Sequence, residues 1–177
     1  VSFNCKELTR ECIRSIEQTA NKIDLEVIVV DNASVDGSAR AVSDDFPQVK
    51  IIEQKQNIGF GPACNVGVTT ARGEYLLLLN PDTIVLPNSI QNLLEFANSH
   101  PNAGIWGGRT LNPDGSLNPK SCWRFPTLWS TFCITFGLAR AFPTSEYFNW
   151  EEYGGWDRST VRFVDVVSGC LLLIRRS

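Results

Sequence analysis

The stretch EYLLLLNPD, from Glu74 to Asp82, constrains the fold more than any other part of the chain. Its apolar run is bounded by Gly73 and Pro81 and breaks into Asn80, Pro81 and Asp82 with no polar residue ahead of the break. Four consecutive leucines fit a strand buried on both faces, as strands of parallel sheets are; periodicity alone leaves a helical segment of the same length open. In open α/β sheets ligands bind outside the carboxyl ends of the strands, so Asp82 is expected at a ligand site.

The segments ahead of this strand alternate in type. Val1 to Asn4 reads as the tail of a first strand, and Leu8, Cys12, Ile13 and Ile16 recur at helical spacing. Leu25 to Val30 reads as a β-branched strand ending in Asp31 and Asn32. SVDGS (Ser34 to Ser38) supplies turn chemistry, Ala39, Val42 and Phe46 mark a short helix stopped before Pro47, and Val49 to Glu53 reads as a third strand. Right-handed crossovers would put these strands in a parallel sheet. The loop NIGFG (Asn57 to Gly61) then leads, through a first-turn proline at Pro62, into a helix of small residues reaching about Ala71.

Beyond Asp82 the sequence predicts a helix capped by Asn88 and closed by Pro101, with Ile90, Leu93, Leu94 and Ala97 on one face. A strand from Ala103 to Gly108 and a hairpin turn at Asn112 to Gly115 follow. Trp123 to Trp156 is aromatic and broken by Pro126, Pro143, Gly154 and Gly155, and yields no regular element. Phe163 to Val167 and Leu171 to Ile174 return to strand-like runs.

Composition removes several classes. A chain of 177 residues is an ordinary size for one domain. The net charge of −3, with no Lys/Arg block, argues against a nucleic-acid binder. Six cysteines without CxxC spacing and a single His100 do not make a zinc set, and read as reduced thiols of a cytosolic protein. No uncharged apolar run approaches the roughly 20 residues that span a bilayer. No signal peptide opens the chain, and the absence of methionine beside a strand-like Val1 reads as an excised fragment.

Gly59-x-Gly61 ahead of a helix invites a dinucleotide-binding reading, but that fingerprint follows the first strand and wants Gly or Ala where Cys64 stands. Taken together, VDNASVDGS (Val30 to Ser38), NIGFGPACNVG (Asn57 to Gly67) and YLLLLNPD (Tyr75 to Asp82) resemble the inverting family 2 glycosyltransferases. GGRTLNPDGS (Gly107 to Ser116) and VDVVSGCLLLIRR (Val164 to Arg176) extend the resemblance to the bacterial rhamnosyltransferase-like branch.

That resemblance implies a GT-A fold, a Rossmann-like αβα sandwich with a mostly parallel sheet, truncated at its C-terminal end. It implies a single domain over 1–177, with a nucleotide-binding half of about 1–110 and an acceptor-side part of about 111–177. The implied donor is a dTDP- or UDP-sugar, dTDP-rhamnose among them. The implied acceptor is a glycan or lipid-linked glycan, in cell-surface polysaccharide synthesis at the inner face of the plasma membrane. Donor-binding residues carried over are Ser2, Phe3, Asn4, Asp31, Asn32, Asn57, Gly59, Phe60, Asn65 and Asn80.

The family's metal-binding acidic motif falls on Asn80-Pro81-Asp82, where only Asp82 keeps a carboxylate for Mg²⁺ or Mn²⁺. A hard cation binds carboxylate and phosphate oxygens together, so one protein carboxylate can suffice. Asp31 or Asn32 can accept from a pyrimidine ring N–H. Asp36 and Gly37 read as turn residues. Asp165 is the acidic residue on the acceptor side, with pairing to Arg162 or Arg176 an equal alternative.

Inverting displacement needs a general base. The resemblance puts it in an acidic pair beyond Ser177, so residues 1–177 are expected to bind donor without transferring sugar. A nucleotide-sugar binding module without catalysis is the alternative. A sugar nucleotidyltransferase would want a glycine-rich loop after the first strand, and Asn4 to Arg10 holds no glycine.

Overall fold

Thr9, Cys12, Ile13 and Ile16 recur at helical spacing and form the buried face of helix α1 (Lys6–Thr19). Leu8, expected on that face, is instead 48% exposed. Thr9 fills the first turn in its place, its hydroxyl 3.0 Å from that of buried Ser2. The computed structural model describes residues 1–19 and 23–176. They divide into two compact units, one within residues 1–106 with 172–176 and the other of residues 107–171.

In the first unit, β1 (Ile28–Asp31) and β2 (Lys50–Glu53) pair in parallel, Val29 opposite Ile51. Helix α2 (Ser38–Asp45) makes the crossover, and its Val42 packs with Phe46, Ile13, Val29 and Val49 in one buried cluster. Burying each such side chain contributes about 1.5–3 kcal/mol, enough to fix which face of β1 turns inward. On the other edge of β1, Ser2 forms a parallel bridge with Asp31. The strand tail expected at Val1 to Asn4 is therefore present as a single rung.

Helix α3 (Phe60–Thr70) lies against β1, where its small residues allow close approach. A Cβ on Gly67 would stand 3.4 Å from Val30 Cγ2. Strand β3 (Tyr75–Leu79) follows, then α4 (Ser89–Ser99), which buries Leu93 and Ala97. Asn88 precedes α4 as expected, but it caps with a left-handed backbone (φ 62°) and no side-chain hydrogen bond. Strand β4 (Ile105–Gly107) and β7 (Leu171–Arg175) complete a sheet of order β3-β7-β4. The end of β7 meets the starts of both neighbours, Arg175 N–H donating to Gly104 O and Arg176 N–H to Glu74 O, so β7 runs antiparallel to them.

All five residues of β3 are half-buried. This corrects the expectation of a strand buried on both faces: one edge of β3 pairs with β7 and the other fronts an open cleft.

The second unit holds the NPDG turn, closed by a Leu111–Leu117 bridge, and the short antiparallel pair β5 (Cys122–Trp123) and β6 (Val166–Val167). Helices α5 (Leu128–Thr135) and α6 (Leu138–Ala141) fall within the stretch that gave no element from sequence. Buried Tyr153 and Arg158 sit among arginines stacked on aromatic rings, Arg124 lying 4.0 Å from the Trp150 centroid and 4.3 Å from that of Tyr153. Phe163 is 95% exposed, so the strand predicted from there is reduced to β6. Among the described residues no helix is long and apolar enough to cross a membrane.

Candidate functional site

The carboxyl end of β1 carries the most distinctive chemistry in the first unit. Asp31 is 3% exposed, and its Oδ1 accepts from Ser34 N–H at 2.8 Å. Its Oδ2 is buried and has no hydrogen-bond partner. Leaving a buried acceptor unpaired costs on the order of 1–3 kcal/mol, a penalty that a ligand N–H would remove. Asp31 is held in place through its backbone, whose carbonyl accepts from Gln54 N–H at 2.8 Å.

Asn32, equally buried, has a different task. Its Oδ1 accepts from Ile58 N–H at 3.0 Å, and its Nδ2 donates to Asn57 Oδ1 at 2.9 Å and to Gly59 O at 3.4 Å. The side chain thus pins the NIGFG loop the way a neighbouring strand would. Of the two residues expected to face a pyrimidine, only Asp31 keeps a free acceptor; Asn32 is spent on the loop. Asn57 also accepts from Gly59 N–H at 2.9 Å, turning the chain into α3.

Gly59 occupies φ 85°, ψ 166° at the α3 N-cap, a conformation that side chains resist. Phe60 follows at 52% exposure, and the N–H groups of the first turn end at Pro62, which has none. Asn65 is exposed on α3.

The loop after Ser2 is tied to the loop after β1. Asn4, at φ 49°, donates its N–H to Ser34 Oγ at 2.9 Å and accepts from Val35 N–H at 2.9 Å. Asp36 accepts from Lys6 N–H at 3.0 Å and from Ser38, whose hydroxyl does most to hold the carboxyl below its usual range. Asp36 is therefore the turn residue the sequence suggests, with the start of α1 as an added partner. Ser2 is 1% exposed and engaged by Thr9 and Cys5, so its side chain is structural; Phe3 beside it is 47% exposed.

At the end of β3, Asn80 turns its carbonyl to the Cys12 thiol at 3.6 Å and to Thr83 N–H at 3.2 Å. Asp82 is exposed on the following turn, and no hydrogen bond or ion pair among the described residues engages its carboxylate. Burial first, with the Asp82 charge adding to it, pushes the Cys12 thiol up to about 11. No group of three or more His, Cys, Asp or Glu residues that could hold a metal occurs among the described residues. A lone exposed carboxylate such as that of Asp82 suits a cation that takes its other ligands from phosphate and water oxygens, not one enclosed by protein.

In the second unit, Asp165 Oδ2 accepts from Phe125 N–H at 3.0 Å. The alternative pairings fall away: Arg162 joins Glu146 at 3.2 Å, and Arg176 donates to Ala71 O. Glu151 accepts from the Ser130 hydroxyl at 2.6 Å. Sequence reasoning missed the role of Arg158, which donates to the carbonyls of Trp156, Pro119 and Glu152. The general base expected beyond Ser177 lies outside the described residues.

Comparison with known proteins gives consistent matches. The family model described as glycosyl transferase family 2 matches residues 1–163. The N-acetylglucosaminyl-diphospho-decaprenol L-rhamnosyltransferase of Mycobacterium tuberculosis is 32% identical over 108 residues, 55% of this chain and 35% of that protein. Among solved structures, the Pyrobaculum calidifontis mannosyltransferase PcManGT in complex with GDP-Man and Mn²⁺ aligns with TM-score 0.56 at 25% identity, covering 64% of this chain and 34% of that one. Staphylococcus aureus TarS aligns with TM-score 0.57 at 21% identity, over 70% and 38%. The chain spans about a third of the length of that rhamnosyltransferase.

Proposed function

The chain belongs to glycosyl transferase family 2, and from that premise we propose that it binds a nucleotide-diphosphate sugar and serves sugar transfer to a glycan or lipid-linked acceptor. The observation that carries this reading is the unpaired, buried Oδ2 of Asp31 at the end of β1. A pyrimidine ring N–H would supply the donor it lacks, which favours a dTDP- or UDP-sugar. The relative named as an L-rhamnosyltransferase supports rhamnose as the sugar, and dTDP-rhamnose is the donor we propose.

Asn32 and Asn57 act as positioning residues by holding the Gly59 loop against β1. The first-turn amides of α3 then offer a place for diphosphate, since helix N-termini attract anions. Asp82 would hold the cation named in the mannosyltransferase complex, with Asn80 beside it. A divalent cation at that place supplies Lewis-acid stabilisation of the charge gathering on the departing diphosphate. Phe3 and Phe60, both half-exposed, are available to flank the nucleotide.

Transfer with inversion, in surface polysaccharide synthesis at the inner face of the plasma membrane, completes the proposal. A binding module without catalysis is the second reading, favoured because Glu151 and Asp165 are both committed to structural hydrogen bonds. Titrating UDP and dTDP into the wild type, Asp31→Asn and Asp82→Ala, with and without Mn²⁺, tests the site. Asp31→Asn should weaken binding in both conditions, and Asp82→Ala should remove only the Mn²⁺ enhancement. Binding that neither substitution alters would overturn the assignment, and donor binding without sugar transfer by the intact enzyme would select the module.

A further inference from the structure

Helix α5 is turned inside out. Its buried residues are Ser130 and Cys133, while Leu128, Phe132 and Phe136, spaced four apart, make a stripe that lies exposed. In an amphipathic helix of a folded domain such a stripe faces the core. The exposed rings lie against one another: the Phe136 and Phe132 centroids are 4.5 Å apart, those of Phe132 and Trp129 5.5 Å, and those of Trp129 and Tyr147 5.0 Å. The second unit therefore presents one continuous aromatic surface built from its own residues.

What that surface withholds identifies what it meets. Exposed Thr131 and Thr135 turn their hydroxyls back to the carbonyls of Thr127 and Thr131, at 2.9 and 2.8 Å. Trp129 Nε1–H donates to Tyr147 O at 3.0 Å. Protein interfaces carry about one hydrogen bond per 100–200 Å², and this face keeps its side-chain donors for its own backbone. Hydrocarbon asks for none, and penalises any group left unpaired. The charge is also of one sign. From Pro126 to Ser145 the single charged residue is Arg140, exposed on α6, which packs beside α5. The next acid, Glu146, is taken up by Arg162 at 3.2 Å and Arg124 at 3.8 Å.

We infer that this face of the second unit docks on the surface of an anionic bilayer. Leu128, Phe132 and Phe136 enter the acyl boundary, which interfacial helices reach to a depth of about 5–10 Å. Trp129 and Tyr147 sit at the headgroup level, where amphipathic rings collect, and Arg140 meets the lipid phosphates. Side chains that are a liability in water are in this way matched to lipid. The inference deepens the membrane-face location proposed above, and rests on that reading for the choice of leaflet alone.

The experiment sediments the intact enzyme with vesicles of mixed phosphatidylcholine and phosphatidylglycerol, beside vesicles of phosphatidylcholine alone. Phe132→Ser combined with Phe136→Ser should weaken binding to the mixed vesicles at least about tenfold, because two rings leave the acyl boundary. Leu128→Ser, at a side chain 94% exposed, should weaken it about threefold or more and cannot act through the fold. Arg140→Gln should cost about fivefold on the mixed vesicles and nothing on the neutral ones. UDP affinity should match the wild type in all three, so a failed vesicle test leaves the donor reading standing, and a failed donor titration leaves this one. Absence of vesicle binding by the wild type, or binding that Leu128→Ser and the double substitution leave unchanged, overturns the proposal. So does a dimer that Leu128→Ser dissociates, because a second copy would then cover the face.

Discussion

Asp31 and Asn32 are neighbours with equal burial and opposite duties, and the difference can be measured. Asp31→Asn keeps the shape and the acceptor for Ser34 N–H while removing a buried charge whose second oxygen has no partner. Fold stability should hold or rise in thermal melts, while UDP or dTDP affinity falls at least about tenfold, or about 1.4 kcal/mol. Asn32→Asp should do the reverse: the carboxylate keeps Ile58 N–H but faces Asn57 Oδ1 and Gly59 O without a hydrogen to offer. A loss of about 1–3 kcal/mol in urea unfolding is expected. Asp36 adds a pH signature. Ser38 and the Lys6 N–H lower its folded pKa from the ordinary 3.8, so its contribution is full above that value and fades as pH falls through the lower folded one. Asp36→Asn should therefore lower the melting temperature at pH 7, and the gap from wild type should close towards pH 3.

At the level of elements, the turn into α3 holds two glycines with different backbone demands. Gly59 stands at φ 85°, ψ 166°, so Gly59→Ala should cost about 1–3 kcal/mol through backbone strain. A methyl group on Gly61 would meet no atom within 4 Å, and its φ is not positive, so Gly61→Ala should leave the melt unchanged or slightly improved. Donor titration of Gly61→Ala then reports whether a ligand approaches that backbone: weaker binding at unchanged stability is the expected result. The parallel βαβ core was legible in the sequence because β-branched runs and turn residues agreed there, down to α2 stopping before Pro47. The exposure of β3 was not, since four leucines look alike whether an edge is paired or open. Helix α5 escaped because its buried residues are Ser130 and Cys133, while Leu128 is 94% exposed and Phe136 68%. Its start is set by a reciprocal Thr127–Ser130 capping box, a polar signal inside an aromatic stretch. For the site, Asp31 and Asp82 were readable as strand-end carboxylates, but the turn of the Asn32 amide into the loop depends on a contact across 26 residues.

Taken whole, the molecule stores its cohesion differently in its two units, and their unfolding should differ accordingly. The first unit rests on aliphatic packing around Val42 and on parallel strand pairing. The second has Arg158 at its centre, 8% exposed, donating to three carbonyls and lying 4.4 Å from the Trp156 ring centroid. Hydrogen bonds from a charged donor contribute about 1.5–3 kcal/mol each, and a cation over an aromatic face adds to them. Arg158→Met retains the aliphatic stem but leaves the carbonyls of Pro119 and Glu152 without their donor. Amide exchange in Arg158→Met should therefore accelerate across residues 107–171, most at Tyr153 and Trp156, while β1 and β2 keep wild-type rates. Equal acceleration in both units would mean that they open as one cooperative body. Wild-type rates throughout would mean that the ring stacking of Arg124 and Arg162 on Tyr153 holds the second unit without Arg158.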